Sequence, residues 1–182
     1  MRKRILTLIA LMVLVVPLRA DEEAVNAPHI AVDASGRCYA KSVPAATYGS
    51  AGTTSVYRVE SGADRLIESY PWYAATIHLQ CYTPGLSGDA VSIVQLGPWA
   101  RGRQATAGHL AIAFHANGRL LRSYSTLDIA GAIDNVSAST SHYRVFDVID
   151  GYVFESATSR PFRLKTIDGR TLTFDPATGN LR

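Results

Sequence analysis

The chain has 182 residues, 47% hydrophobic and 18% charged, with 18 basic against 15 acidic side chains and 2 cysteines. That is the make-up of a folded globular protein, and it excludes a disordered, collagen-like or disulfide-dense chain. Four of the basic residues (Arg2, Lys3, Arg4 and Arg19) precede Asp21; without them the balance is fourteen to fifteen, so no general basic surface for nucleic acid or anionic lipid is expected.

Residues 1–20 read as a cleaved secretory signal peptide. Arg2, Lys3 and Arg4 form a positive start, Ile5 to Val16 an apolar stretch, and Ala20 a small residue just before the acidic Asp21-Glu22-Glu23. The apolar stretch is shorter than the roughly twenty residues of a membrane span. A retained N-terminal anchor is the alternative, and no cysteine stands near the cut to suggest a lipoprotein. The remainder, 21–182, is expected to be a single all-β domain, periplasmic or secreted, with no membrane span. An oxidising compartment makes a Cys38–Cys81 disulfide the simplest use of the two cysteines. Their separation fits no CxxC redox motif.

The predicted strands run near 28–33, 37–43, 54–60, 65–70, 73–82, 90–96, 109–115, 119–125, 142–148, 151–156, 161–167 and 170–175. Three tight turns punctuate them: Asp33-Ala34-Ser35-Gly36, Asn117-Gly118 and Asp168-Gly169. These residues tolerate the positive φ that a short hairpin requires. Ser61-Gly62-Ala63-Asp64 is a looser fourth. In HLAIAFH, positions Leu110, Ile112 and Phe114 alternate with His109, Ala111, Ala113 and His115, the period of a strand. "RLIESY" (65–70) and "RLLRSY" (119–124) agree at four of six positions, a degenerate repeat or a coincidence. Ser125-Thr126-Leu127-Asp128 is a capping box, so one short helix is expected near 126–132, limited by Gly131. The fold class is therefore all-β: an antiparallel, hairpin-rich sandwich or partly rolled meander, with a small propeller-like arrangement as the alternative.

Chemistry is harder to find. Gly85-Leu86-Ser87-Gly88-Asp89 misses the nucleophile-elbow pattern at its last position and reads as a loop. The five histidines include no HExxH or HxH pair, and His109 and His115 would lie about 20 Å apart along a strand. His78 alternates with Gln80 and Tyr82 on what reads as an outward polar face. Asp147 and Asp150 are the only close carboxylates, but they have opposite strand parity, and Asp150-Gly151 reads as a turn. Asp175-Pro176-Ala177-Thr178-Gly179-Asn180 is a turn rather than a calcium loop. No catalytic, metal or cofactor site is predicted.

What remains is aromatic and cationic. Trp72 and Tyr73 interrupt the strand series, and GPWARGRQATAGH (97–109) carries Trp99, Arg101 and Arg103 in a stretch too long for a simple hairpin turn. Flat aromatic faces and guanidinium forks suit a glycan, peptide or protein partner in the cell envelope. Trp72 and Trp99 serve equally as packing anchors, Trp99 being expected to point inward with the two arginines left for contact. The expected function is a non-enzymatic binding module. The alternatives are a hydrolase using Asp147, Asp150 and His142, and a subunit of an envelope assembly.

Overall fold

The computed structural model describes residues 22–82 and 90–182. The predicted signal peptide and the Gly85–Asp89 loop lie outside them. The Asp33, Ser61, Asn117 and Asp168 turns each close an antiparallel pair. β1 (His29–Val32) and β2 (Cys38–Pro44) meet across Asp33, whose Oδ1 accepts from the Arg37 amide at 3.0 Å. β3 (Gly52–Arg58) and β4 (Arg65–Tyr70) complete a four-stranded sheet in the order β1-β2-β3-β4.

The second sheet takes β5 (Ile77–Gln80), β6 (Ser92–Leu96), β8 (Leu110–Ala116) and β9 (Arg119–Ser125), in that order, with β7 (Ala100–Arg101) branching off between β6 and β8. Asn117 and Gly118 take φ of 53° and 68° at the β8–β9 turn, the mirror-image geometry that matches strand twist. α1 (Thr126–Ala130) follows, with Ser125 and Asp128 forming the capping box and Gly131 ending it in the left-handed region. β10 (Ser137–Ala138), β11 (His142–Arg144) and β7 form a small sheet. β12 (Phe146–Tyr152), β13 (Phe162–Thr166) and β14 (Thr171–Phe174) form the last meander.

The fold is thus nearly all β, antiparallel, with one short helix. RLIESY and RLLRSY become β4 and the first six residues of β9, each the final strand of a four-stranded sheet. The β5–β9 sheet lies in the middle. Ile77, Leu79, Val91 and Ile93 pack with Cys38, Ala40, Val56 and Tyr70 of the first sheet. Val94, Leu96, Ile112 and Phe114 pack with Phe162, Leu164 and Phe174 of the last. Successive residues of a strand face opposite ways, so Ile93 and Val94 fall in different cores, and β6 is buried at every position.

Two strand expectations are corrected. Asp150-Gly151 is not a turn: Gly151, at φ 76°, sits inside β12 at a register shift, and pairing with β13 continues on both sides. A glycine in the left-handed region is what a bulge needs, and the two signals look alike in sequence. The span 73–82 yields strand only at Ile77–Gln80, because the Tyr73 amide donates instead to Ser50 O at 2.8 Å. The six residues from Asp175 form the expected turn, with Asp175 Oδ1 accepting from the Ala177 amide at 3.0 Å.

Cys38 and Cys81 lie at disulfide distance, with Cα atoms 5.8 Å apart and a sequence separation of 43. The bridge joins the outer β1–β4 sheet to the end of β5. Closing a loop of that size removes about 4 kcal/mol of unfolded-chain freedom. Denaturant titration of the Cys38→Ala, Cys81→Ala double variant should show a loss of roughly 3–4 kcal/mol, with an unchanged circular dichroism spectrum.

Candidate functional site

The Gly97–His109 segment is held at several points along its length. The Gly97 amide donates to Ala111 O at 2.9 Å, and a Cβ on Gly97 would stand 1.8 Å from Leu110 O, so only glycine allows the chain to leave β6 this close to β8. Ala100 and Arg101 then pair with Tyr143 and His142 of β11. Ala105 is buried, and its amide donates to Ile133 O at 2.9 Å. The Thr106 amide donates to Thr126 Oγ1 at 2.9 Å.

Pinned this way, the segment forms one wall of a cleft of about 290 Å³, whose other walls include Thr76, Leu110, Thr126, Tyr143, Arg144 and Phe146. Trp99 stacks on His142 with ring centroids 3.6 Å apart. Its other surroundings form a smaller cleft of about 140 Å³, shared with Glu23, Asn26 and Tyr73. Trp99 is half-buried and belongs to neither hydrophobic core, so it stands as a partition between two openings rather than as the inward anchor expected of it.

Behind the cleft runs a defined proton order. Thr126 Oγ1 donates to Thr106 O at 2.9 Å, which uses its only proton, so the Tyr143 hydroxyl donates to Thr126 Oγ1 at 2.8 Å. Tyr143 therefore accepts from His109 Nδ1 at 2.8 Å, and the imidazole carries its proton on Nδ1. The chain orients Tyr143 and ties β11 to the loop.

The other predicted contact residues divide. Tyr73 is buried but reaches the Trp99 partition, its hydroxyl donating to Ala27 O at 3.1 Å. Arg101 reaches Glu23 at 2.7 Å across the surface. Arg103 is exposed and lines a separate shallow groove with Gln104 and Asp134. Trp72 does not join the surface: its ring lies between the first and middle sheets, 5.4 Å from Tyr70 and 5.0 Å from His115. There His115 Nε2 bonds Gln95 Oε1 at 3.1 Å, while His115 Nδ1 and the Trp72 indole nitrogen are buried with no partner among the described residues. Glu68 accepts there from the Tyr70 hydroxyl and, at 3.1 Å, from the Asn117 amide. Alternation placed His115 opposite Phe114; nothing in a single strand could show what lay across from it.

Asp147, Asp150 and His142 are not brought together. Asp150 bonds Arg163 at 3.0 Å beside β5. His142 lines the Trp99 cleft, where its Nδ1 lies 2.7 Å from Ser139 Oγ. Asp147 is exposed on β12. The one cluster of metal-type side chains among the described residues is Asp33 with Cys38 and Cys81. With the sulfurs bonded to each other it offers no thiolate, and Asp33 accepts from Ser35 Oγ and the Arg37 amide. No helix of the described residues is long and apolar enough to cross a membrane. No protein-family model matches the chain, and no curated protein or solved structure does so either.

Two outcomes follow from this geometry. Gly97→Ala should cost at least about 2 kcal/mol in denaturant unfolding, since the added methyl meets backbone. Burial lowers the His115 imidazole to about 4 from the usual 6.5. The unfolded chain therefore takes up a proton between pH 6.5 and 4 that the folded chain refuses, and stability is lost as pH falls through that window. Half-buried His78 is shifted the same way. Urea midpoints at pH 7 and pH 4.5 should show the difference between wild type and His115→Phe moving in the variant's favour by on the order of 1–2 kcal/mol at the lower pH.

Proposed function

We propose that this protein is an exported, non-enzymatic binding module that holds a peptide, glycan or protein partner of the cell envelope through the Trp99 cleft. The observation that carries this reading is the position of Trp99: half-exposed between two openings, with His142 covering part of one face. The cleft is mostly apolar, with Thr76, Thr126, His142 and Arg144 supplying polar groups at its walls, the composition of a site that gains affinity from burial and direction from a few hydrogen bonds. Trp99 stands on the pinned Gly97–His109 segment, and the facing walls come from β6, β8, β11 and α1, elements held by the core. Export rests on the first twenty residues, and a Cys38–Cys81 bridge is in keeping with it.

The two tryptophans provide a direct test. In Trp72→Phe, the remaining Trp99 emission should be quenched by acrylamide and should shift when envelope peptides or glycan fragments are titrated in. In Trp99→Phe, the remaining Trp72 emission should resist both. Trp99→Ala should weaken partner binding at least tenfold, about 1.4 kcal/mol. A Trp99 emission inaccessible to quencher, together with unchanged partner binding by Trp99→Ala, would sink the proposal.

A further inference from the structure

A separate cleft of about 340 Å³ opens where β1, β5 and β12, each the first strand of its sheet, come together. β5 supplies His78 and Gln80, which alternate with the core residues Ile77 and Leu79 and so face the β12 side; His78 meets Phe162 edge-on at 5.3 Å. Gly151, in the β12 bulge, is the residue next to His78: a Cβ there would lie 3.2 Å from the imidazole. The bulge that replaced the expected turn is thus also what makes room for the His78 ring.

Three features of this cleft point to a ligand. Gln80 is only 5% exposed, and its Nε2 donates to Tyr82 O, which fixes the orientation of the amide; its Oε1 is buried with no partner among the described residues. A buried acceptor without a donor costs on the order of 1–3 kcal/mol, and here it belongs to a residue that lines the cleft. The acids nearby are already engaged, Asp33 with its own turn and Asp150 with Arg163. Arg37 and Arg160 are the cations of the lining, and the Arg160 guanidinium lies over the Phe154 ring at 5.4 Å, with its Nε also buried and unpartnered among the described residues. Finally, the lining includes the large apolar side chains of Val32, Tyr82 and Phe154, which are 61%, 51% and 68% exposed.

We propose that this cleft is a second ligand site, independent of Trp99, for an apolar residue bearing a free carboxylate and an N–H donor. That is the chemistry of a peptide's carboxyl-terminal residue and of a free N-acyl amino acid. The carboxylate pairs with Arg160, and with Arg37 where the ligand reaches it, in the fork geometry guanidinium favours. The ligand N–H satisfies Gln80 Oε1. The apolar side chain rests on Phe154, Tyr82 and Val32. Partial burial lowers the pKa of His78, which disfavours a charge on its ring in this cleft.

The test is a nitrogen-15 NMR titration with four probes: N-acetyl-phenylalanine, its carboxamide, a hexapeptide ending in phenylalanine, and the same peptide amidated. The acids should bind at least tenfold tighter than their amides, moving the Gln80 side-chain and His78 signals. Arg160→Gln, which removes the charge but keeps an unbranched polar side chain, should abolish the acid preference while leaving the rest of the spectrum in place, and Phe154→Ala should weaken all four probes. A hexapeptide tighter than N-acetyl-phenylalanine identifies a peptide terminus as the ligand, and equal affinity identifies the terminal residue alone. Equal binding of acid and amide, shifts that bypass Gln80 and His78, or no shift up to about 10 mM acid, would overturn the proposal.

Discussion

Everything in this molecule depends on a middle sheet that is covered on both faces. β6 has no polar side to give to water: Ile93 belongs to one core and Val94 to the other. The three fully buried phenylalanines, Phe114, Phe162 and Phe174, fill the layer between the middle and last sheets with centroids 5.0 to 5.9 Å from Phe114. Burying such a ring contributes about 1.5–3 kcal/mol. The opposite layer draws on Cys38, Ala40, Val56, Tyr70, Leu79 and Ile93, with the half-buried Trp72 packed against them, and contains the polar and aromatic group around His115. One layer is therefore held by packing volume. The other adds ring contacts, polar groups and a covalent bridge to its packing.

That stack explains where open sites arise. A sheet covered on both faces can meet solvent only at its edges and at the loops that cross them. The Trp99 cleft lies where the long β6–β8 connection passes over β11, and the Gln80 cleft lies where three first strands converge. Both are walled by backbone that the core fixes, while the lining side chains vary in polarity: one cleft is mostly apolar, the other combines arginines, an amide and exposed apolar side chains. A protein of this design presents different chemistry on its sides without disturbing its layers.

Much of the fold was legible because hairpin chemistry is local. Asp33-Ser35-Gly36, Asn117-Gly118 and Asp168-Gly169 each made the turn their residues favour, and Ser125 with Asp128 capped the only helix among the described residues. The exceptions have physical reasons. Asp150-Gly151 supplies positive φ, which serves a bulge as well as a turn, and only the pairing partner, β13, decides between them. β7 and β10, two residues each, exist only because β11 lies between them, so no period could announce them. Among the candidate site residues, the sequence grouped Trp72 with Tyr73, yet neighbours on an extended chain point opposite ways: Tyr73 reaches Trp99 and Trp72 turns to His115. His78 and Gln80 read as an outward polar face, because the β12 bulge that shelters them is distant in sequence.

The bridge from Cys38 to Cys81 has one more consequence, for motion rather than for stability. Were the outer β1–β4 sheet to swing away from the middle one in a partial opening, the bridge would limit how far it travels. Tethered at Cys81, it stays at high local concentration beside its own docking face and re-docks faster than a second chain arrives. Hydrogen exchange in β2 and β3 would then report brief local excursions, and the covalent link guards this layer against exchanging sheets with a neighbouring copy.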